Sequence, residues 1–492
     1  MAPARDAVRI LRRGRVVEIS GFAPIETLLD HLRLRERATG TKEGCAEGDC
    51  GACTVAIGRP GPDGGTVYRP VNACIHLLGM ADGAEIVTVE DIGADGLHPI
   101  QQAFMDRHAS QCGYCTPGFV MALFAFRKGL AGQPVSRRNV TDAIAGNLCR
   151  CTGYRPIIDA ALDACADDGA DGFGGKRTGA ALVGLTDGAP LFAGDDTAFF
   201  AAPTNLDALA ELHARHPDAT LVAGATDVGL WITKQFRPID KVIHLGRVAG
   251  LAGIADEGDA LRIGAATTYN EAAAALAALD PDIGEVLRRL GSPQVRAVGT
   301  IGGNIANGSP IGDMPPLLIA LGAEITLRRE NETRLLPLER FFLEYGRQDR
   351  RPGEFLVAIR LPKPGKDTAF RAFKISKRFD QDISAVLAAF ALELDGRRIA
   401  SARLAFGGMA GTPRRAGIAE TALSGASLDR PDSWKDAVAA LADDFTPLSD
   451  HRASASYRLR VAQGLLRKAL TEIAGTPTTA TRLVGVRETQ DA

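Results

Sequence analysis

TKEGCAEGDCGACTV, Thr41–Val55, sets Cys45, Cys50 and Cys53 among the glycines Gly44, Gly48 and Gly51, and a fourth thiol, Cys74, follows in NACIH. C-x4-C-x2-C with a distant fourth cysteine is the ligand spacing of a plant-type [2Fe–2S] centre. A loop wrapped around such a cluster turns sharply and aims backbone N–H groups at sulfur, which glycine permits through positive φ and close approach. Four thiolates also suit zinc, but structural zinc sites favour two short knuckles, whereas here one asymmetric triple is joined by a singleton.

A second set lies in SQCGYCTPGF and GNLCRCTGYRP: Cys112, Cys115, Cys149 and Cys151. The surroundings read as helices: one opened by Pro99, one by Thr116-Pro117 as cap and first-turn proline, one capped by Ser136, and one opened by Pro156. Both cysteine pairs then fall in turns of a four-helix arrangement, with helix N-termini favouring a net-negative group. Cys165 has no partner in the pattern and reads as a small core residue.

The whole chain has 492 residues, enough for three or four domains. Lys plus Arg (57) nearly balances Asp plus Glu (59), which argues against a nucleic-acid binder held by a basic field. Hydrophobic residues at 46% and charged residues at 24% exclude wholesale disorder. No apolar run reaches the roughly 18–20 residues of a membrane span. The opening MAPARDAVRILRRGRVVEIS lacks the apolar core of a secretory signal, and after Arg12-Arg13 the segment VVEIS reads as a strand rather than an export signal. The expectation is a cytoplasmic protein whose nine cysteines are not a disulfide framework.

Residues 1–88 read as short strands plus one helix, compatible with a β-grasp module, and 89–165 as the helical module. DDGADGFGGKRTGAALVG reads as a linker. From about 192 strands and helices alternate, and after about 368 the pattern becomes α+β. Two glycine-rich loops stand out: Val222-Ala223-Gly224-Ala225-Thr226-Asp227, and Val298-Gly299-Thr300-Ile301-Gly302-Gly303-Asn304 continuing to Asp313. Consecutive N–H groups in such loops form anion nests suited to a pyrophosphate. A flavin is a sensible neighbour for iron–sulfur clusters, exchanging single electrons with them and electron pairs as hydride.

On TKEGCAEGDCGACTV, QCGYCTPGF, GNLCRCTGY and TIGGNIANGSPIGD, the sequence resembles the molybdenum hydroxylases, and KRFDQDIS (Lys377–Ser384) is similar to their xanthine dehydrogenase branch. The resemblance covers nearly the whole chain and implies the iron–sulfur and flavin subunit of a split bacterial enzyme. It implies a multidomain α+β fold: a ferredoxin-like β-grasp domain (1–88), a four-helix [2Fe–2S] domain (89–165), a linker (166–191), an α/β FAD-binding domain (192–367) and an α+β C-terminal domain (368–492). It further implies that Cys45, Cys50, Cys53 and Cys74 hold the flavin-proximal cluster, and that Cys112, Cys115, Cys149 and Cys151 hold the molybdenum-proximal one. Gln111 matches a glutamine that touches molybdopterin in relatives. FAD contacts fall on Leu221, Val222, Ala223, Gly224, Ala225, Thr226, Asp227 and Val228, on Thr300, Ile301, Gly302, Gly303 and Asn304, and on Asp313, Leu356 and Lys374. An aromatic residue near the flavin of animal relatives aligns with Leu290.

The resemblance implies an NAD+-dependent oxidoreductase without purine-reactive residues of its own. Electrons would come from a molybdopterin-binding large subunit, in a heterotetramer of two small and two large subunits, during oxidation of hypoxanthine or xanthine. The alternatives are the same role in an aldehyde or heteroaromatic hydroxylase, and a non-catalytic redox adaptor. For the bare residues, the alternatives are Asp313 as an N-cap, Leu356 as core and Lys374 as a surface lysine.

Overall fold

A computed structural model describes residues 4–487 except 95, 131, 167, 168 and 170. The ends of the two terminal domains expected above (1–3 and 488–492) and part of the expected linker (167, 168 and 170) lie outside the described residues. The chain forms two compact units: Met1–Ala249 with Gly291–Gly299, and Gly250–Leu290 with Thr300–Ala492.

The first unit begins with β1 (Val8–Arg12) and β2 (Arg15–Ile19), an antiparallel hairpin. Arg13 and Gly14, both at positive φ, make its two-residue turn, which suits the twist of the strands. β3 (Thr54–Pro60), β4 (Thr66–Asn72) and β5 (Glu85–Val87) complete a sheet of order β2-β1-β5-β3-β4, in which β1 runs parallel to β5. Leu28, Leu29 and Leu32 pack with Val8, Ile10, Val55 and Ile86 in one core. Thr27 caps the turn that carries these leucines by accepting from Asp30 N–H.

Four helices follow: Pro99–Asp106, Thr116–Gly129, Arg137–Ala143 and Arg155–Cys165. Ser136 and Asn139 form a capping box, and Phe119, Phe124, Val140 and Ile157 are fully buried. Thr116 is the first residue of its helix rather than the cap; Cys115 precedes it, and the Thr116 hydroxyl donates to Ser110 Oγ at 2.8 Å. Cys165 is buried.

Part of the segment read as a linker is ordered packing. Lys176–Leu185 is a helix whose Leu182 and Leu185 bury against Leu11. Asp171 accepts from Arg127 Nη1 at 2.9 Å and from Lys128 Nζ, and lies 3.0 Å from His98 Nε2. Burial would raise its pKa, but the contacts with His98 and Lys128 outweigh that and hold the carboxyl well below its usual range. The Gly-Asp composition that suggests flexibility here supplies a buried anchor instead.

β6 (Leu191–Gly194), β7 (Phe199–Ala202), β8 (Thr220–Val222) and β9 (Lys241–His244) form a second sheet of order β6-β7-β9-β8, with β7, β9 and β8 parallel. The helices Leu206–Arg215 and Val228–Thr233 lie within its crossovers, as parallel strands require.

In the second unit, β10 (Ile254–Asp256), β11 (Ala260–Gly264), β12 (Glu324–Arg329), β13 (Glu332–Pro337) and β16 (Phe355–Pro362) form an antiparallel sheet of order β10-β11-β16-β12-β13. A small hairpin, β14 (Phe342–Glu344) and β15 (Arg347–Gln348), precedes β16. β17 (Thr368–Ile375), β18 (Val386–Asp395), β19 (Arg398–Gly407) and β20 (Arg414–Arg415) form the last sheet. It shares a core with helices Gly417–Leu423, Lys435–Asp444 and Ala455–Ile473. Among the described residues, no helix is long and apolar enough to cross a membrane.

Candidate functional site

In the first cysteine loop Ala46, Gly48 and Gly51 have positive φ, which coils the chain around Cys45. Cys45 Sγ accepts N–H from Glu47 at 3.4 Å and from Cys50 at 3.3 Å. Its thiol interacts with those of Cys50 and Cys74, and Cys74 also meets Cys53. The Cys50 and Cys74 thiols, then the two N–H groups, drive the Cys45 pKa far down, while the same contacts and burial push Cys74 up. Cys74 lies in the turn just past β4 rather than on a strand. Gly44 is constrained by the site itself: a Cβ there would stand 2.8 Å from Cys50 Sγ.

The second set sits in the turns before Thr116–Gly129 and Arg155–Cys165. Its thiols meet in two pairs, Cys112 with Cys151 and Cys115 with Cys149. Burial raises Cys115 to about 12. For Cys149 the Thr152 hydroxyl and N–H outweigh burial and lower the pKa. Cys112, Cys151 and the neighbouring Gln111 are exposed, whereas Cys53 and Cys74 are buried. All nine cysteines are free. Among the described residues, no three His, Cys, Asp or Glu side chains converge on one point as around a single ion.

The donor chemistry of both sets fits [2Fe–2S] clusters. Four soft thiol ligands are gathered by pairwise contacts, and N–H groups already point at sulfur, which is how a protein tunes such a cluster. The two loops also interlock. Leu148 N–H donates to Cys50 O at 3.0 Å, and Asn147 Nδ2 to Gly51 O at 3.0 Å.

The first glycine loop joins β8 to the helix Val228–Thr233. Ala225 has φ +57°, and Gly224 and Ala225 are buried. Among the described residues, the N–H groups of Gly224, Ala225 and Thr226 donate to no acceptor. Buried backbone N–H groups are almost always paired, so this run suits an anionic ligand such as the FAD pyrophosphate. The helix after the loop rests on the first cysteine set: Thr233 Oγ1 donates to Ala46 O at 2.6 Å, and a Cβ on Gly229 would reach Ile75 Cβ at 2.6 Å.

The second glycine run differs from the nest expected of it. Ile301–Asn307 is a helix capped by Thr300, whose hydroxyl accepts from Gly303 N–H at 3.0 Å. Ile301 N–H goes to Thr267 O, Gly302 N–H to Ala265 O and Asn304 N–H to Thr300 O. These donors are spent inside the protein. Gly302 instead allows a close approach, since a Cβ there would meet Ala265 O at 2.5 Å.

Asp313 and Lys374, far apart in sequence, meet as a buried ion pair; Asp313 also accepts from Ser384 Oγ at 2.6 Å. Asp313 precedes the helix Met314–Ala320 but makes no side-chain cap bond, and Lys374 is a core rather than a surface lysine. Leu356 on β16 and Leu290 are both buried. Ser384, Thr54, Asn147 and Gln294 were not singled out by sequence; Ser384, Thr54 and Asn147 lie in the distinctive stretches KRFDQDIS, TKEGCAEGDCGACTV and GNLCRCTGY, and Gln294 lies in none of them.

Three family profiles match in series: "[2Fe-2S] binding domain" at 88–162, "FAD binding domain in molybdopterin dehydrogenase" at 195–364, and "CO dehydrogenase flavoprotein C-terminal domain" at 371–473. The chain belongs to the iron–sulfur and flavin region of the molybdenum hydroxylase family. It is 32% identical over 93% of its length to a xanthine dehydrogenase from Emericella nidulans, covering 38% of that protein. This chain thus spans little more than a third of that relative. A chain of reconstituted CO dehydrogenase from Oligotropha carboxidovorans superposes with a TM-score of 0.53 and 30% identity, covering 56% of this chain and 96% of that one. A chain of quinoline 2-oxidoreductase from Pseudomonas putida gives 0.52 and 25%, covering 56% and 95%. Family membership makes this an oxidoreductase region with [2Fe–2S]- and FAD-binding domains.

Proposed function

We propose that the chain is the electron-transfer subunit of a xanthine dehydrogenase. It would pass electrons from a molybdopterin-binding large subunit through two [2Fe–2S] clusters to FAD and NAD+ during oxidation of hypoxanthine and xanthine to urate. The observation that carries this reading is the match to a xanthine dehydrogenase over 93% of the chain. When bound, the clusters supply one-electron steps and FAD supplies two-electron exchange with nicotinamide.

The eight cysteines are the proposed cluster ligands. Their exposed set, with Gln111 beside Cys112, would face the large subunit in a two-plus-two heterotetramer. Leu221–Val228 is the proposed FAD loop, and its Gly224, Ala225 and Thr226 offer N–H donors unpaired among the described residues. Thr300–Asn304, Asp313, Leu356, Lys374 and Leu290 are proposed FAD contacts on the family resemblance. Asp313 and Lys374 hold each other in a fixed geometry, which suits a positioned contact. The proposed domain bounds are 1–88, 89–165, 192–367 and 368–492. The likeness to quinoline 2-oxidoreductase favours a second reading, the same role beside a heteroaromatic hydroxylase subunit.

The test is direct. The purified chain should contain four irons and one FAD, oxidise NADH with an artificial acceptor and hydroxylate no purine. Adding the large subunit should couple xanthine oxidation to NAD+ reduction. Two zincs per chain, or purine turnover by the chain alone, would overturn the proposal. Coupling only to another heteroaromatic substrate would move it to the second reading.

A further inference from the structure

Within the first unit, Gly291–Gly299 crosses from later in the sequence to lie against both cysteine loops. Its helix, Pro293–Val298, is short and well capped: Ser292 Oγ accepts from Val295 N–H, and proline occupies its first position. Near its start, Gln294 Nε2 donates to Thr54 Oγ1 at 3.0 Å and to Asn147 Oδ1 at 2.9 Å. Thr54, which follows Cys53, donates to Gly51 O at 2.6 Å; Asn147, two residues before Cys149, donates to the same oxygen. One amide thus grips the loops of both sets, and Thr54, Asn147 and Gln294 are each at most 2% exposed. A Cβ on Gly146 would meet Gln294 Oε1 at 1.9 Å and Ser292 Cβ at 2.7 Å, so only glycine there leaves room for this part of the segment.

The other end of the helix meets the flavin loop. A Cβ on Gly224 would stand 2.0 Å from Val298 O, so the two backbones touch. Gln294, Val298, Gly224 and Thr226 line one narrow crevice together with His76, which follows Cys74 closely and whose buried ring nitrogens have no partner among the described residues.

We propose that Gln294 is a positioning residue that couples the two cysteine loops to the flavin loop. Its amide would fix the helix Pro293–Val298, and the helix would hold Gly224–Thr226 in the shape that presents free N–H groups to FAD. The proposal rests on the cofactor reading above and adds to it a dependence of flavin affinity on an amide outside the proposed flavin contacts.

The experiment removes FAD from the full-length holoprotein and measures its rebinding by quenching of flavin fluorescence, alongside iron content and spin resonance of the reduced clusters. Gln294→Glu keeps the shape and loses both donated hydrogen bonds; Thr54→Val keeps the shape and removes one acceptor, together with the hydroxyl's own bond to Gly51 O. For Gln294→Glu we expect four irons retained, an FAD Kd raised about tenfold, the effect of two lost hydrogen bonds, and an altered spin–spin interaction between the clusters. Thr54→Val should fall between it and the parent. Gln294→Ala is read alongside, and its failure to fold leaves the two isosteric variants to decide. A lowered unfolding midpoint with FAD Kd and spin resonance unchanged would reduce Gln294 to plain structural packing and overturn the proposal. Loss of iron before any loss of FAD affinity would overturn it too. A parent protein without iron or FAD would instead defeat the cofactor reading itself.

Discussion

Glu36 receives Arg12 through Nη2 at 2.7 Å and lies 3.4 Å from His31 Nε2. Burial raises its pKa, but His31 and Arg12 prevail and bring it down to about 2. A carboxylate depressed in the folded state stabilises the fold fully above its unfolded pKa of about 4.5 and loses that contribution as pH falls toward 2. Glu36→Gln should therefore flatten the acid limb of the stability curve and remove about 2 kcal/mol at neutral pH, after allowing for partial exposure. Urea unfolding at several pH values checks this. Lys374→Ala should do more, because it leaves Asp313 buried and uncompensated, at a cost of about 3–5 kcal/mol. The double change with Asp313→Ala should recover part of that loss. The resemblance singled out Asp313 and Lys374 separately: nothing local in PIGDMPP or FKISK says that the two side chains meet. Gln294 was not legible at all, since its role depends on Thr54 and Asn147, which only the folded chain brings near.

At the level of elements, the two cysteine loops are sealed by close backbone contact. A Cβ on Gly118 would stand 2.2 Å from Gly51 O and 3.0 Å from Ala52 Cα. Gly118→Ala should therefore push the first cysteine loop off its seat, destabilise the protein by about 1–3 kcal/mol and lower iron retention. Gly129→Ala, at the end of the same helix with nothing within 4 Å, should be neutral or slightly stabilising. Iron per chain and urea midpoints of the two variants make the comparison. Helices marked by proline or a capping residue were readable from sequence: Pro99, Ser136 and Pro156 all stand where helices begin. In Val298–Asn304 the helix that starts at Ile301 was not readable, because a glycine that serves close packing, such as Gly302, looks in sequence like a glycine of an anion nest. The helix Ala455–Ile473 escaped notice because its buried stripe includes Arg458 and Glu472 among the apolar residues, which breaks the usual pattern.

For the molecule as a whole, the separate modules of the two cysteine sets give a clean test. Cys149→Ser removes one proposed ligand from the second set and leaves the first set's thiol contacts in place. Spin resonance of the reduced variant should show one [2Fe–2S] signal where the parent shows two, with FAD content preserved. Loss of both signals, or of neither, would break the assignment. The order of the [2Fe–2S], FAD-binding and C-terminal segments that the three profiles match was legible because cysteines, capping residues and glycine runs are local signals. The two compact units were not: Gly291–Gly299 joins the first and the residues on either side join the second, an exchange no window along the sequence can reveal.

The two cysteine sets differ in shelter, and shelter governs ageing. Oxidants dissolved in the medium reach sulfur in proportion to its exposure. Cys112 and Cys151 stand at the surface, while Cys53 and Cys74 are enclosed by the sheet core. A preparation kept in air should thus decay from the outside inward, first at the helical module and last beside the flavin loop. If the proposed function holds, old samples would keep their flavin colour and NADH–dye activity after the exposed cysteine set has failed, so a dye assay alone would pass material that can no longer receive electrons from a docked subunit.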